Sequence, residues 1–198
     1  CVIKPQLFIM LKEPKPGWLK SRLGKYIGMI KAAWWFRHNA NDIIRKLSAK
    51  KLWTTILAVS PDKEGLSSRV WPHGLLRWPQ GTGDLGKRMA NIFINADKGP
   101  IVIIGSDITK IEARYIQDAF NALGDHDVVI GPSYDGGYWL IGMKRGAKSM
   151  PKSIFKNVRW STSNALSDTL KNLEGLKVKQ ILKLQDIDNV EDLMKLQS

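Results

Sequence analysis

An α/β fold with a mostly parallel sheet flanked by helices follows from three features of the sequence. Short apolar runs alternate with longer stretches of helical periodicity; the run Ile101–Ile104 (IVII) is bounded by Gly-Pro before and Gly-Ser-Asp after; and residues 127–130 repeat that buried pattern. A continuous apolar, β-branched run suits a parallel strand covered on both faces, because both sides of such a strand meet helices rather than water.

The elements follow in order. Residues 6–11 form a first strand, ended by Lys12-Glu13-Pro14 and followed by a loop stiffened by Pro14, Pro16 and Gly17. Residues 25–47 place Ile27, Ile30, Trp34, Ile43, Ile44 and Leu47 at helical spacing, with a local break expected at Asn39 and Asn41. Residues 53–59 read as a strand, 61–74 as a loop and 75–78 as a short strand; Gly81 to Gly86 then leads into a helix reaching Asn95. After IVII, Thr109 with Glu112 spells a capping box for a helix to Leu123. A strand over Tyr138–Met143, a helix over 161–173, a strand over 178–184, an acidic turn and a short helix complete the chain. No repeat or linker divides it, so residues 1–198 are expected to form one domain.

Composition narrows the function classes. One cysteine cannot form an internal disulfide, and with three histidines there is no zinc-ligand spacing, so a reducing, cytoplasmic setting is expected. No apolar run approaches the roughly 18 residues of a membrane span, and no secretory leader pattern opens the chain. The balance of 31 Lys and Arg against 18 Asp and Glu, a formal charge of +13, favours anionic partners: phosphorylated small molecules, an anionic membrane or nucleic acid. The cations are scattered and no nucleic-acid-binding signature accompanies them, so no specific nucleic acid is expected. Trp18, Trp34, Trp35 and Phe36 amid lysines leave peripheral association with an anionic membrane open.

Ligands of parallel sheets bind beyond the carboxyl ends of the strands, and the chemistry-bearing residues gather there. The loop KEPKPGWLKSRLG sets Lys12, Lys15, Lys20, Arg22 and Lys25 in a stiffened backbone, either as a diphosphate cradle or as a solvated basic loop. Gly81, Gly83 and Gly86 spell GxGxxG, but Trp78, Pro79 and Gln80 separate them from a strand of only four residues. They read better as backbone approaching a ligand, with Asp84 and Arg88 positioning it, or as an ordinary flexible loop. Asp107, just past IVII, either ligates Mg2+ or Mn2+ bridging substrate phosphates or caps the next helix. Asp188 is a second candidate metal ligand, in an acidic turn whose alternative is capping of the last helix. In YDGGYWLIG, Asp135 stands at a strand entrance where it can bind a metal, a hydroxyl or a proton. Gly136 and Gly137, ahead of Tyr138, would let the backbone pass close to a ligand, although Asp-Gly is equally a strong hairpin signal.

Taken in order, KEPKPGWLKSRL, QGTGDLGKRM, GSD, GPSYDGGYWLIG, the Trp-Ser-Thr at 160–162 and DIDNVEDL resemble the bacterial DUF2064 family, also called selenodomain-associated transferase 1, over nearly the whole chain. The resemblance implies a GT-A, nucleotide-diphospho-sugar transferase fold. It also implies a metal-dependent transferase with a nucleotide-activated donor and an unspecified acceptor. The 2-phospho-lactate guanylyltransferases are similar too, through Lys20-Ser21-Arg22-Leu23, so nucleotidyl transfer with release of pyrophosphate stands as the alternative. In the implied site Lys12, Lys20 and Arg22 hold donor phosphates, Asp107 binds the metal, Asp135 orients the acceptor hydroxyl or takes its proton, and Gly136, Gly137 and Tyr138 form the pocket that admits the sugar or acceptor. Ser21 stands where the family more often has Thr, and Thr109 where it usually has Pro.

Overall fold

The computed structural model of the protein describes residues 3–16, 24–25, 27–145 and 153–185. Its elements run β1 (Gln6–Lys12), α1 (Met29–Ser48), β2 (Thr54–Ser60), α2 (Asp62–Ser67), β3 (Leu76–Pro79), α3 (Leu85–Asn95), β4 (Ile101–Ile104), α4 (Ala113–Ala122), β5 (Val128–Pro132), β6 (Tyr138–Met143), α5 (Ala165–Asn172) and β7 (Val178–Gln180). The strands form one seven-stranded sheet in the order β3-β2-β1-β4-β6-β5-β7. All neighbouring strands are parallel except β6, which runs antiparallel to both β4 and β5.

The alternation of side chains along each strand divides the core into two layers. Leu7, Ile9 and Leu11 of β1 face one way with Val102 and Ile104 of β4, and pack with Ile44 and Leu47 of α1 and Ile116 of α4. Phe8 and Ile103 face the other way and pack with Met89, Ile92 and Phe93 of α3 and with Leu173. Central strands covered twice need apolar residues at every position, and β4 is buried throughout.

Five local expectations are corrected. Asn39 and Asn41 do not break α1: the Asn39 amide is spent on tertiary bonds, and the Asn41 amide on one bond within the helix and one outside it. Asn39 Nδ2 donates to the carbonyls of Ser106 and Ile108 at 3.0 and 3.3 Å, and Asn41 Nδ2 donates to the Arg37 and Val70 carbonyls at 2.9 and 3.3 Å. The loop expected over 61–74 contains the short helix α2. Thr109 caps no helix: α4 starts at Ala113 with Glu112 as N-cap and no side-chain cap bond, since the preceding residues form a turn that buries Ile108 and Ile111. The helix expected from residue 161 begins at Ala165, because Thr162 holds a tight turn ahead of it. Its Oγ1 donates to the Arg159 carbonyl at 2.7 Å and accepts from the Asn164 amide at 3.2 Å. The last strand stops at Gln180, with Leu184 rejoining the sheet through a single bridge to Ser133.

This topology collects a site. The carboxyl ends of β1, β2, β4 and β5 reach the same sheet edge. The reversed β6 starts there, so the turn between β5 and β6 lies beside the loops leaving the parallel strands.

Candidate functional site

A cleft of about 970 Å³ opens along that edge, with Lys12, Arg88, Asp107, Asp135, Gly137 and Tyr138 among the residues lining it. Six of the residues singled out in the sequence are thus brought together from β1, α3, the β4 loop and the β5–β6 turn. Lys15 is exposed in the loop after β1 and is not part of that lining. Lys20, Arg22 and Asp188 lie outside the described residues.

Each wall has an identifiable fastening. Behind Arg88, the buried Gln80 donates from Nε2 to the carbonyls of Leu11 and Ala58 at 3.0 and 2.8 Å, tying the ends of β1 and β2. Arg88 Nη1 then donates to Ser60 Oγ at 3.0 Å and to Gln80 Oε1 at 3.3 Å, while its Nε donates to the Gly83 carbonyl at 3.0 Å. A guanidinium held at two nitrogens presents its charge in a fixed position, which is what recognition of phosphate oxygens needs. The sequence marked Arg88 but not Gln80 or Ser60; a glutamine immediately after the β3 proline was the available signal.

The glycine loop divides by role. Gly81 and Gly83 hold φ of 78° and 105°, in the left-handed region that favours glycine, and the Gly81 amide donates to Asp62 Oδ1 at 3.1 Å. Asp84 is the N-cap of α3, its Oδ1 accepting from the Lys87 amide at 2.8 Å. Gly81, Gly83 and Asp84 therefore shape the approach to α3 without being among the residues of the cleft wall, to which the next turn contributes Leu85 and Arg88. Gly86 packs against aromatic rings: a Cβ there would stand 2.9 Å from both Phe155 and Trp160.

Asp107 lies three residues past β4, in a loop that Asn39 holds from α1 through the Ser106 and Ile108 carbonyls. Asp135 opens the β5–β6 turn, where its Oδ1 accepts from the Gly137 amide at 2.9 Å. Gly136 sits at φ 87° against the backbone of Ser163, and its carbonyl accepts from the Leu166 amide at 3.0 Å. The DGGY turn and the Trp-Ser-Thr segment thus form one wall, and Trp160, Ser161, Thr162 and Ser163 all line the cleft. Asp135-Gly136 accordingly forms the hairpin turn, and Asp135 and Gly137 of that turn line the cleft. Tyr138 contributes its ring, while its hydroxyl is engaged with Thr169 Oγ1 at 3.1 Å. Burial pushes that phenol well above its usual range, only partly offset by the Thr169 bond, so it is a neutral hydrogen-bonding group at physiological pH.

The Trp-Ser-Thr segment is fixed from behind by Arg159, whose Nε and Nη2 each approach an Asp168 carboxylate oxygen at 2.9 Å while its amide donates to Oδ2 at 3.1 Å. The hydrogen bonds from the Arg159 side chain and amide, in that order, hold the Asp168 carboxyl down at about 2. A lowered folded-state pKa means that this stabilisation is full above the unfolded value of about 3.9 and is lost as pH falls through that value towards 2. Urea midpoints of the wild type and Asp168→Asn should therefore differ at neutral pH and converge between about pH 4 and pH 2. Parallel curves across that range would remove the pair from the account.

Among the described residues no group of three or more His, Cys, Asp or Glu is placed to hold a metal ion. Asp107 and Asp135 supply carboxylate oxygens to one cleft, a donor set that fits Mg2+ or Mn2+ sharing its coordination with substrate phosphates and water. No helix among the described residues is long and apolar enough to cross a membrane.

Comparison with solved structures identifies the architecture. A protein from Desulfovibrio desulfuricans G20, assigned by inference as a nucleotide-diphospho-sugar transferase, superposes with a TM-score of 0.84 at 29% identity, covering 97% of this chain and 85% of its own. CMP:2-keto-3-deoxy-manno-octonic acid synthetase in complex with CTP shares the fold at 9% identity and a TM-score of 0.58, over 98% of this chain and 97% of its own. Rv0371c from Mycobacterium tuberculosis H37Rv in complex with manganese does so at 12% identity and 0.51, over 98% of each chain. No curated protein matches the chain in sequence. The sheet order with its single reversed strand is that of the GT-A-like, nucleotide-diphospho-sugar transferase fold. The profile of the family described as an uncharacterized protein conserved in bacteria, DUF2064, matches residues 43–162, and the chain belongs to that family.

Proposed function

We propose that the protein, working as one domain over residues 1–198, is a metal-dependent transferase of glycosyltransferase type that takes a nucleotide-diphospho-sugar as donor. The observation that carries this reading is the convergence of Lys12, Arg88, Asp107 and Asp135 on one cleft at the carboxyl edge of a GT-A-like sheet. The likeness to the Desulfovibrio protein supports it.

In this reading Lys12 and Arg88 bind the donor phosphates, joined by Lys20 and Arg22 from outside the described residues. Asp107, with Asp188 as a second ligand, holds Mg2+ or Mn2+, which when bound neutralises charge on the leaving diphosphate. Asp135 orients the acceptor hydroxyl or takes its proton as the new bond to the anomeric carbon forms. The bond from that carbon to the diphosphate oxygen breaks, and nucleoside diphosphate departs. Gly136 and Gly137 keep side-chain bulk away from the acceptor entrance, with the Tyr138 ring beside them.

A panel of sugar nucleotides and nucleoside triphosphates, with and without Mn2+, tests the reading by thermal shift. A donor at a hundredfold excess over its Kd adds about 2.7 kcal/mol, roughly 5–10 °C in Tm for a chain of this size. Product analysis then separates two chemistries: nucleoside diphosphate marks glycosyl transfer, and pyrophosphate marks nucleotidyl transfer. No shift with any nucleotide and metal, together with an equally inert Asp107→Ala, would sink both.

A further inference from the structure

We propose that the outward face of α1 docks the protein onto an anionic phospholipid surface. The inner face of this helix is accounted for by Ala33, Phe36, Ala40, Ile44 and Leu47, all buried against the sheet. The outer face is not what a solvated helix needs. Ile30 is 77% exposed and Trp34, one turn on, is 60% exposed. Trp34 stacks on His38 a further turn along, ring centroids 3.9 Å apart, so the ridge continues as an ordered surface. The adjacent row is cationic. Arg37 and Arg45 of α1 and Arg69 of the facing loop line a cavity of about 310 Å³, in which Asp42 is the one acid among the described residues. Among the described residues Asp42 pairs with Arg45, at 3.8 Å and with both side chains largely in water, so the cavity keeps an excess of positive charge.

An exposed aliphatic and indole pair beside a row of guanidinium groups is the arrangement of an interfacial helix, with the apolar tip entering the headgroup boundary and the cations meeting lipid phosphates. Charge complementarity selects this occupant. A second copy of the chain would set two such basic rows face to face, and the protein as a whole carries +13. A nucleic acid would use the guanidinium row and the indole but leave Ile30 without a partner. The location gives docking a consequence, since Phe36 and Ala40 of the same helix line the cleft and Asn39 holds the Ser106–Ile108 loop. Docking through α1 sets the cleft in a fixed orientation to the bilayer. That the acceptor is then carried by the membrane rests on the transferase reading; the docking itself does not.

Co-sedimentation of the full chain with vesicles, in the absence of any nucleotide, tests this. Binding is expected to phosphatidylcholine vesicles containing phosphatidylglycerol, to be lost on phosphatidylcholine alone, and to weaken steeply with salt. Ile30→Ser with Trp34→Ser should reduce binding roughly tenfold by removing the inserted surface, with the melting temperature changed by no more than a few degrees because both side chains are largely exposed and neither belongs to the core. Arg37→Ala and Arg69→Ala should each cost about fivefold. Four results would overturn the proposal: no binding to anionic vesicles at low salt, binding indifferent to Ile30 and Trp34, a dimer in solution that Trp34→Ser dissolves, or displacement from vesicles by duplex DNA at equal charge concentration. A protein inert to nucleotides yet bound to vesicles in this Trp34-dependent way would end the transferase reading and leave the docking surface standing.

Discussion

Gly136→Ala lowers the melting temperature by roughly 10 °C, from about 3–4 kcal/mol of combined left-handed strain and steric overlap. The residue holds φ 87°, where a Cβ is disfavoured, and that Cβ would stand 2.3 Å from the Ser163 carbonyl oxygen and 2.7 Å from the Ser163 Cα. Backbone cannot swing aside as a side-chain tip does, so either the β5–β6 turn or the Trp-Ser-Thr segment must move, and both wall the cleft. Gly137→Ala is the matched control. A Cβ there meets only the Asp135 carboxylate, at 3.2 Å, and the cost stays below about 1 kcal/mol. Differential scanning calorimetry of the two variants checks the contrast. Equal melting temperatures would mean that the two segments do not touch as described.

Asp107→Asn reduces the rate of transfer about a thousandfold while leaving the melting temperature of the ligand-free protein close to the wild type, if the reading of the cleft is correct. The change keeps the shape of the side chain and removes the charge that would hold Mg2+ or Mn2+ in the proposed site. The loop itself is held by Asn39 through main-chain carbonyls, so its conformation does not depend on the carboxylate alone. Steady-state rates with a donor found by the nucleotide panel, measured across a Mn2+ titration, give the comparison. A variant within about threefold of wild type at every metal concentration would remove Asp107 from the chemistry.

The sequence and the structure agree wherever one physical signal was unopposed. The continuous apolar run at Ile101–Ile104 marked a doubly covered strand, and the stretch from Gly81 to Gly86 marked the lead into a helix to Asn95, which is α3. Disagreement came where tertiary packing outweighed a local preference. Thr109 and Glu112 spell a capping box, yet burying Ile108 and Ile111 stabilises the turn that delays α4. Asn39 and Asn41 are poor helix formers, yet each finds carbonyl acceptors from a distant loop that the sequence gives no means of anticipating. The same limit governs the site. Residues carrying obvious chemistry, such as Asp107 and Asp135, stand out because strand ends are legible. Gln80, Ser163 and Trp160 are neutral in isolation and acquire importance only through what they touch. The GT-A resemblance implied a mixed sheet, but which strand reverses was not legible, because a buried strand has the same composition in either direction.

Trp71 belongs to the walls of both the cleft and the basic cavity beside α1, and it is 2% exposed, its indole nitrogen without a hydrogen-bond partner among the described residues. Two compartments separated by one partition cannot be filled independently if either occupant restrains the ring. Thermodynamic reciprocity then fixes the relation: whatever factor vesicle attachment adds to nucleotide affinity, nucleotide adds the same factor to vesicle attachment.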